Sequence, residues 1–225
     1  MSITQITGAL LIFLPIAFNM IFFLLQRTFE YPDILRKPTD YILRQFNAGG
    51  NRLVVTWYSF ALTGLLFIPM AILVNQVLAQ ESLPYMAIAT TVGILAGLVQ
   101  FLGLIRWTFL VPYLAKTYFE SNSSQATRDS IAVTFQAFHR FAGMAIGEHL
   151  GYLCTSVWTA LIALALSQSS QFNHWLGWLG FLPAIGIFIG LFEEAGFKAA
   201  AAINAISYIL WSIWLIVVGI VFFLH

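Results

Sequence analysis

Residues 199–224 read AAAAINAISYILWSIWLIVVGIVFFL and contain no charged side chain. A helix needs about 20 mostly apolar residues to cross the hydrocarbon core of a bilayer, so this stretch predicts a transmembrane helix. Further apolar stretches precede it at residues 6–25, 53–77, 85–105, 145–166 and 176–192. We therefore predict one all-α domain over residues 1–225, an integral membrane bundle of about six transmembrane helices.

The composition of the chain agrees with lipid as its main solvent. It is 60% hydrophobic and only 8% charged, whereas a soluble domain is about a quarter charged. Basic residues are scattered singly and the net charge is only +1, so no basic patch could neutralise a run of phosphates. The bilayer is the expected partner, and nucleic acid is excluded. The single cysteine, Cys154, excludes an internal disulfide and a CxxC motif.

The distribution of basic residues predicts the orientation of the bundle. All ten fall in or beside the connections between spans 1 and 2, 3 and 4, and 5 and 6: Arg27, Arg36, Lys37, Arg44, Arg52, Arg106, Lys116, Arg128, Arg140 and Lys198. By the positive-inside rule these connections face the cytoplasm. Both termini and the loop over residues 167–174 are then expected outside.

A short helix and aromatic belts are predicted at the membrane interfaces. Residues 39–46 favour a cytoplasmic interfacial helix, with one face formed by Tyr41, Ile42, Gln45 and Phe46. The aromatic residues expected at the cytoplasmic interface are Trp57, Tyr58, Trp107 and Tyr113, and those at the other interface are Trp175 and Trp178.

The fourth span is predicted to be unusually long and to carry a stripe of small residues. Its helix is expected to start near residues 122–127 and to run without interruption into the membrane. The stripe recurs every four residues, at Gly143, Gly147, Gly151, Thr155, Thr159, Ala163 and Ser167. Such a stripe lets a neighbouring backbone approach closely. It predicts close packing within the chain, or a homo-oligomer or membrane-protein partner through Gly143, Gly147 and Gly151.

Polar residues of several spans lie at a similar depth near the predicted cytoplasmic face. An ionisable side chain at the centre of a span costs roughly 2.5 to 3.5 kcal/mol, so such residues are candidates for function. The candidate ligand-binding or ion-coupling residues are Arg106, His139, Arg140, Glu148, His149, Glu193, Glu194, Lys198 and Asn204. A structural interpretation stays open, because residues at helix ends can mark the interface and Glu194 and Lys198 have the spacing of a helical ion pair.

Three short stretches carry a resemblance to a known family. They are LIRW at residues 104–107, with VP at 111–112, FQAFHR at 135–140 and GEHLG at 147–151. The chain resembles the bacterial membrane proteins grouped as DUF4386, a domain of unknown function, and its hydropathy is similar over most of its length. The resemblance implies a compact helical fold in the bacterial inner membrane, and it supplies no catalytic residues.

The motifs give little support for proteolysis or for the binding of haem, metal or nucleotide. EExxxK at 193–198 and FxxxH at 135–139 resemble the motifs of glutamate-dependent intramembrane proteases, but Lys replaces Arg, the order is reversed and the third motif is missing. His139 and His149 lie on one helix, roughly 15 Å apart, and cannot ligate one haem iron from opposite sides. No ExxH spacing supports a metal site. No nucleotide-binding loop is found.

We therefore expect a small transporter-like or ligand-binding protein whose polar cluster lines a cavity open toward the cytoplasm. The expected ligand is a small molecule or an ion, with ion or proton coupling through Glu148 and His149. Two alternatives stay open, a membrane-embedded hydrolase or protease-like enzyme that uses the same Glu and His residues, and a non-catalytic interaction or assembly protein. The motifs favour a non-enzymatic role, and they identify no catalytic residue, cofactor or metal.

Overall fold

Six helices dominate the computed structural model, which describes residues 1–79 and 83–225. Each is long and apolar enough to cross a membrane: Ile3–Phe29, Thr39–Leu78, Met86–Phe119, Gln125–Gln168, Trp175–Phe192 and Ala200–Leu224. No β-strand occurs among the described residues. The prediction of an all-α bundle with six helices of transmembrane length is confirmed.

We number the α-helices in chain order. They are α1 Ile3–Phe29, α2 Thr39–Leu78, α3 Met86–Phe119, α4 Gln125–Phe138, α5 Gly151–Gln168, α6 Trp175–Ile189 and α7 Ala200–Leu224. A π-helix, His139–Leu150, joins α4 to α5, and short 3-10 helices occur at Asp33–Arg36 and Gly190–Phe192. The end of the bundle that contains the α1–α2, α3–α4 and α6–α7 connections carries all the basic residues, and we call it the basic end.

Helix α2 consists of two arms that meet at Gly50. This glycine has φ 55° and ψ −153°, a conformation that a residue with a Cβ atom adopts only under strain. The first arm contains the predicted short helix, and the second arm contains the span. Ile42 and Phe46 are buried at 0% and 2% exposure, so the apolar side of the short helix packs in the core of the protein itself.

The fourth span begins at a capped residue and contains a segment that the sequence does not predict. The Ser124 hydroxyl accepts a hydrogen bond of 3.1 Å from the Thr127 N–H, which satisfies one of the free donors at the helix start. The predicted continuous helix then runs to Gln168. Between His139 and Leu150 its hydrogen bonds follow the wider π pattern. Such segments occur frequently at functional sites.

Aromatic rings fill the core near the basic end. Trp57 and Trp107 are both 0% exposed, and their rings stack with centroids 4.7 Å apart. Phe29 packs edge-on against both rings. The prediction that Trp57 and Trp107 belong to an interfacial belt is therefore wrong, because a belt residue must face the lipid. Tyr58 and Tyr113, predicted in the same belt, are exposed.

The stripe of small residues brings backbones together within the chain. A Cβ atom added at Gly147 would lie only 2.9 Å from Cα of Gly103 in α3. Further along the stripe, Thr159 accepts a hydrogen bond of 2.8 Å from the indole nitrogen of Trp211 in α7. The prediction of close packing inside the chain is confirmed at these positions. A role of the same stripe in an oligomer stays a prediction.

Candidate functional site

A cavity of about 530 Å³ lies inside the bundle near the basic end. Its wall combines side chains from α1, α2, α3, α4, the π-helix, α5 and α7 with side chains of the α1–α2 and α6–α7 connections. Most of the residues that the sequence groups at one depth line it: Arg106, His139, Arg140, Glu148, Glu193, Glu194 and Asn204. The fold therefore brings together polar side chains from well-separated parts of the sequence.

His149 and Lys198 do not line this cavity, although the sequence groups them with it. His149 follows Glu148 directly, and successive side chains on a helix point in different directions around its axis. Glu148 faces the cavity, so His149 faces outward and is exposed. Residues 193–199 form turns, with Gly196 at φ 89°. The predicted helical pair of Glu194 with Lys198 is therefore wrong.

Arg106 presents a positive group to the cavity. Its guanidinium lies over the π-helix, where a Cβ atom at Gly143 would be 2.5 Å from Nη2, so a larger residue there would displace the guanidinium. Nη1 donates a hydrogen bond to the backbone oxygen of Gly103, and the group stacks over the Trp107 ring at 5.3 Å. No carboxylate of the described residues comes within 4.0 Å of it. Arg106 thus forms no close ion pair in the part of the chain that the structure shows.

Glu148 presents a carboxylate to the same cavity. It is half-buried on the π-helix, directly after the glycine that touches α3. Across residues 1–79 and 83–225, no side chain or backbone group gives it a hydrogen bond or an ion pair. A charged group at this depth is costly unless something compensates it. Arg106 and Glu148 therefore share one cavity without neutralising each other directly.

His139 occupies the first turn of the π-helix and is 7% exposed. Its ring stacks on Phe135 with centroids 5.9 Å apart and an interplanar angle of 5°. Within the described structure, its buried Nδ1 atom has no hydrogen-bond partner. A buried polar atom without a partner is rare in folded proteins. The His139 side chain lines the cavity, but its Nδ1 atom is buried against protein and does not face the open space.

The mouth of the cavity is charged and better compensated than the interior. Nη2 of Arg36 lies 3.2 Å from Oε1 of Glu193, and this ion pair joins the α1–α2 and α6–α7 connections. Glu194 and Arg140 are exposed beside it. Asn204 has a partner within the protein, because its amide donates a hydrogen bond of 3.2 Å to the Ile187 carbonyl. This bond satisfies one of the carbonyl groups near the end of α6.

Sequence reasoning missed several polar residues of the wall, which are Asn19, Tyr31, Gln100, Tyr152 and Tyr208. A signal existed for the amides, because Asn19 and Gln100 interrupt otherwise apolar spans. Gln100 is held by a hydrogen bond of 2.9 Å to Thr155. Tyr31 lies in the α1–α2 connection, and burial raises the pKa of its phenol above the ordinary value. It therefore stays a neutral hydrogen-bond donor.

The wall of the cavity brings several kinds of polar group together. The cavity offers a cation and a carboxylate that form no ion pair, and several phenols. The described residues contain no group of three His, Cys, Asp or Glu side chains that could hold a metal ion. Polar groups that converge in a partly apolar pocket are typical of small-molecule sites.

Comparison with known families gives one match. The family described as "Domain of unknown function (DUF4386)" matches residues 6–219, which is nearly the whole chain. No curated protein and no solved structure matches the chain. The resemblance found in the three short stretches of sequence is thereby confirmed.

Proposed function

The chain belongs to the DUF4386 family, and we propose that it is a transporter-like or ligand-binding protein whose cavity receives a small molecule or ion. It is a polytopic membrane protein with six helices of spanning length. We place it in the bacterial inner membrane with the basic end in the cytoplasm and both termini outside. The positive-inside distribution of its ten basic residues supports that orientation.

One observation carries the proposal, namely that Arg106 and Glu148 line the same cavity, yet neither forms an ion pair within 4.0 Å with the other or with any other described residue. A charge at the centre of a span costs roughly 2.5 to 3.5 kcal/mol, and a buried charge nearer the basic end also carries part of this cost. A direct ion pair between them would remove part of that cost, yet they do not form one. A bound molecule that contacts both groups would compensate both.

The size of the cavity also fits this role. Its volume of about 530 Å³ lies within the range of roughly 300 to 1,000 Å³ that is usual for ligand pockets. The Arg36–Glu193 ion pair at the mouth connects two segments outside the spans. Because exposed ion pairs contribute at most about 1 kcal/mol, this contact can open at little cost. Glu148 replaces the expected Glu148–His149 pair as the coupling group, since His149 faces outward.

Native mass spectrometry of the protein in mild detergent tests the proposal. The ligand-bound fraction is compared between the wild type and the cavity variants Arg106→Gln and Glu148→Gln. Loss of a hydrogen bond to a charged group weakens binding by about tenfold or more, so both variants should lose the bound molecule. The matched controls, His149→Gln and Lys198→Gln, change polar residues near the cavity that do not line it, and they should keep the molecule.

Two results would overturn the proposal. One is a wild-type protein that carries no small molecule and binds none of the probes described below. The other is a bound molecule that survives both cavity substitutions unchanged. Melting curves of the ligand-free variants are recorded beside the spectra, so that a loss of binding is not mistaken for a loss of fold.

A further inference from the structure

A groove of about 310 Å³ lies between α1 and α7 on the outer surface of the bundle. Its wall is apolar apart from the side chains of Asn19 and Ser212. Met20 on one side is 68% exposed and Ile213 on the other is 53% exposed. Both helices are of transmembrane length, so in a bilayer this groove faces the acyl chains of the lipid.

The groove and the polar cavity adjoin each other. Asn19 and Ile209 line both of them. On α7 the cavity is lined by residues between Ala201 and Ile209, and the groove by residues between Ile209 and Ile216. The groove thus starts where the cavity ends and continues for about 10 Å, away from the basic end. A molecule that lies in both would have one polar end and one apolar end.

The packing of α1 against α7 explains why the groove forms at this level. Far from the basic end the two backbones touch, since a Cβ atom at Gly8 would lie 2.6 Å from the carbonyl oxygen of Gly219. Closer to the cavity, side chains bridge the helices instead. The Asn19 amide donates to the Ser212 hydroxyl at 2.9 Å and to the Pro15 carbonyl at 2.7 Å. The Asn19 amide is therefore already bonded within the protein, and its side chain lies where the cavity and the groove meet.

We propose that the ligand is a single-chain amphiphile whose polar head lies in the cavity and whose acyl chain lies in the α1–α7 groove. This inference rests on the proposed function and adds the class of ligand to it. The depth of the two features supports it, because the polar site lies near the basic end and the groove runs toward the membrane interior. A lipid in the bilayer is oriented in the same way, with its polar head near the interface and its acyl chain toward the membrane interior.

The charges of the wall indicate a zwitterionic head that contains a phosphate and an ammonium group. Arg106 offers its guanidinium to an anion, and guanidinium binds phosphate strongly. Glu148 offers a carboxylate to a cation. The phenols of Tyr152 and Tyr208 also line the cavity, and aromatic faces attract ammonium groups. A head with only one sign of charge would leave either Arg106 or Glu148 uncompensated.

Three probes test the inference by titration in native mass spectrometry. They are oleoyl lysophosphatidylethanolamine, oleoyl lysophosphatidylglycerol, which has the same chain and an anionic head, and glycerophosphoethanolamine, which has no chain. The zwitterionic lysolipid should bind at least about tenfold more tightly than the other two. Arg106→Gln should weaken its binding by about tenfold. Ile213→Trp, which fills the groove, should weaken it similarly, whereas Ile206→Trp, at a lipid-exposed residue outside both features, should not.

Each contrary result has its own meaning. Equal binding of glycerophosphoethanolamine, lost in Arg106→Gln, refutes the groove and leaves the cavity proposal standing. Equal binding of the two lysolipids refutes the zwitterionic head. Lysolipid binding that neither Arg106→Gln nor Ile213→Trp alters shows annular lipid only and overturns the inference. Absence of binding by all three probes, in a protein that also carries no endogenous small molecule, overturns the proposed function itself.

Discussion

Replacing Gly103 with alanine tests the backbone contact between α3 and the π-helix in the wall of the cavity. A Cβ atom at this position would lie 2.5 Å from Cα of Gly147 and 3.1 Å from the backbone oxygen of Ala142. Non-bonded carbon atoms prefer separations of about 3.5 to 4.0 Å. Both obstacles are backbone atoms that cannot rotate away. Helix α3 and the π-helix would therefore have to separate locally by about 1 Å.

The magnitude follows from two opposing terms. Overpacking of a tight interface costs about 1 to 3 kcal/mol, while Gly→Ala in a helix gains up to about 1 kcal/mol. We expect Gly103→Ala to lower the free energy of unfolding by about 1 to 2 kcal/mol. Gly151→Ala is the matched control, because its Cβ atom would meet only Cγ of Gln100, at 3.4 Å. That variant gains the helix term alone and should be neutral or more stable.

Equilibrium unfolding in mixed detergent micelles, followed by tryptophan fluorescence, measures both variants. The core indoles of Trp57 and Trp107 are 0% exposed, so unfolding changes their surroundings strongly. The decisive quantity is the difference between the two glycine variants, in which any general effect of added methyl groups cancels. If Gly103→Ala is as stable as Gly151→Ala, close backbone contact does not determine the packing of α3, and the reasoning fails.

Two further predictions concern single side chains. Trp211→Phe removes the hydrogen bond to Thr159 and should lower the free energy of unfolding by about 1 to 2 kcal/mol. The control Trp178→Phe changes an exposed residue and should lower it little in the same assay. Equal losses of unfolding free energy in the two variants would contradict the prediction. Burial raises the pKa of Tyr31 above 10.0, so its contribution to stability is complete below about pH 10 and is lost as the pH rises further. The melting temperature should therefore fall less steeply above pH 10 in Tyr31→Phe than in the wild type, and parallel pH curves would refute this.

The number of spans and the basic end could be predicted from sequence because both depend on composition along the chain. A run such as residues 199–224 cannot leave lipid without exposing apolar surface to water. The similar depth of Arg106 and Glu148 can also be predicted, because the rise per residue fixes the position of each side chain along its helix. The depth of a residue is its position along the membrane normal, and the hydropathy pattern of the sequence predicts this position well.

The direction in which each side chain points was harder to predict. Glu148 and His149 are adjacent in sequence and equal in depth, yet only Glu148 lines the cavity. Facing direction depends on the local helical twist, and the π-helix over His139–Leu150 changes that twist. No residue type marks a π-helix strongly. Trp57 shows the same limit, because an indole near the interface suits both a lipid-facing belt and an aromatic core.

The glycine contact links the packing of the bundle to the charges in its cavity. Gly103 of α3 touches Gly147 of the π-helix, and their near neighbours in sequence, Arg106 and Glu148, reach the same cavity from the two sides of that contact. Arg106 binds the Gly103 carbonyl and lies over Gly143, which keeps its guanidinium with its own helix and the glycine face. It therefore does not pair with Glu148. The proposed zwitterionic head would fill the space between the side chains of Arg106 and Glu148, beside the contact of the two backbones. A substitution that separates the backbones should therefore lower both the stability of the protein and its affinity for the ligand.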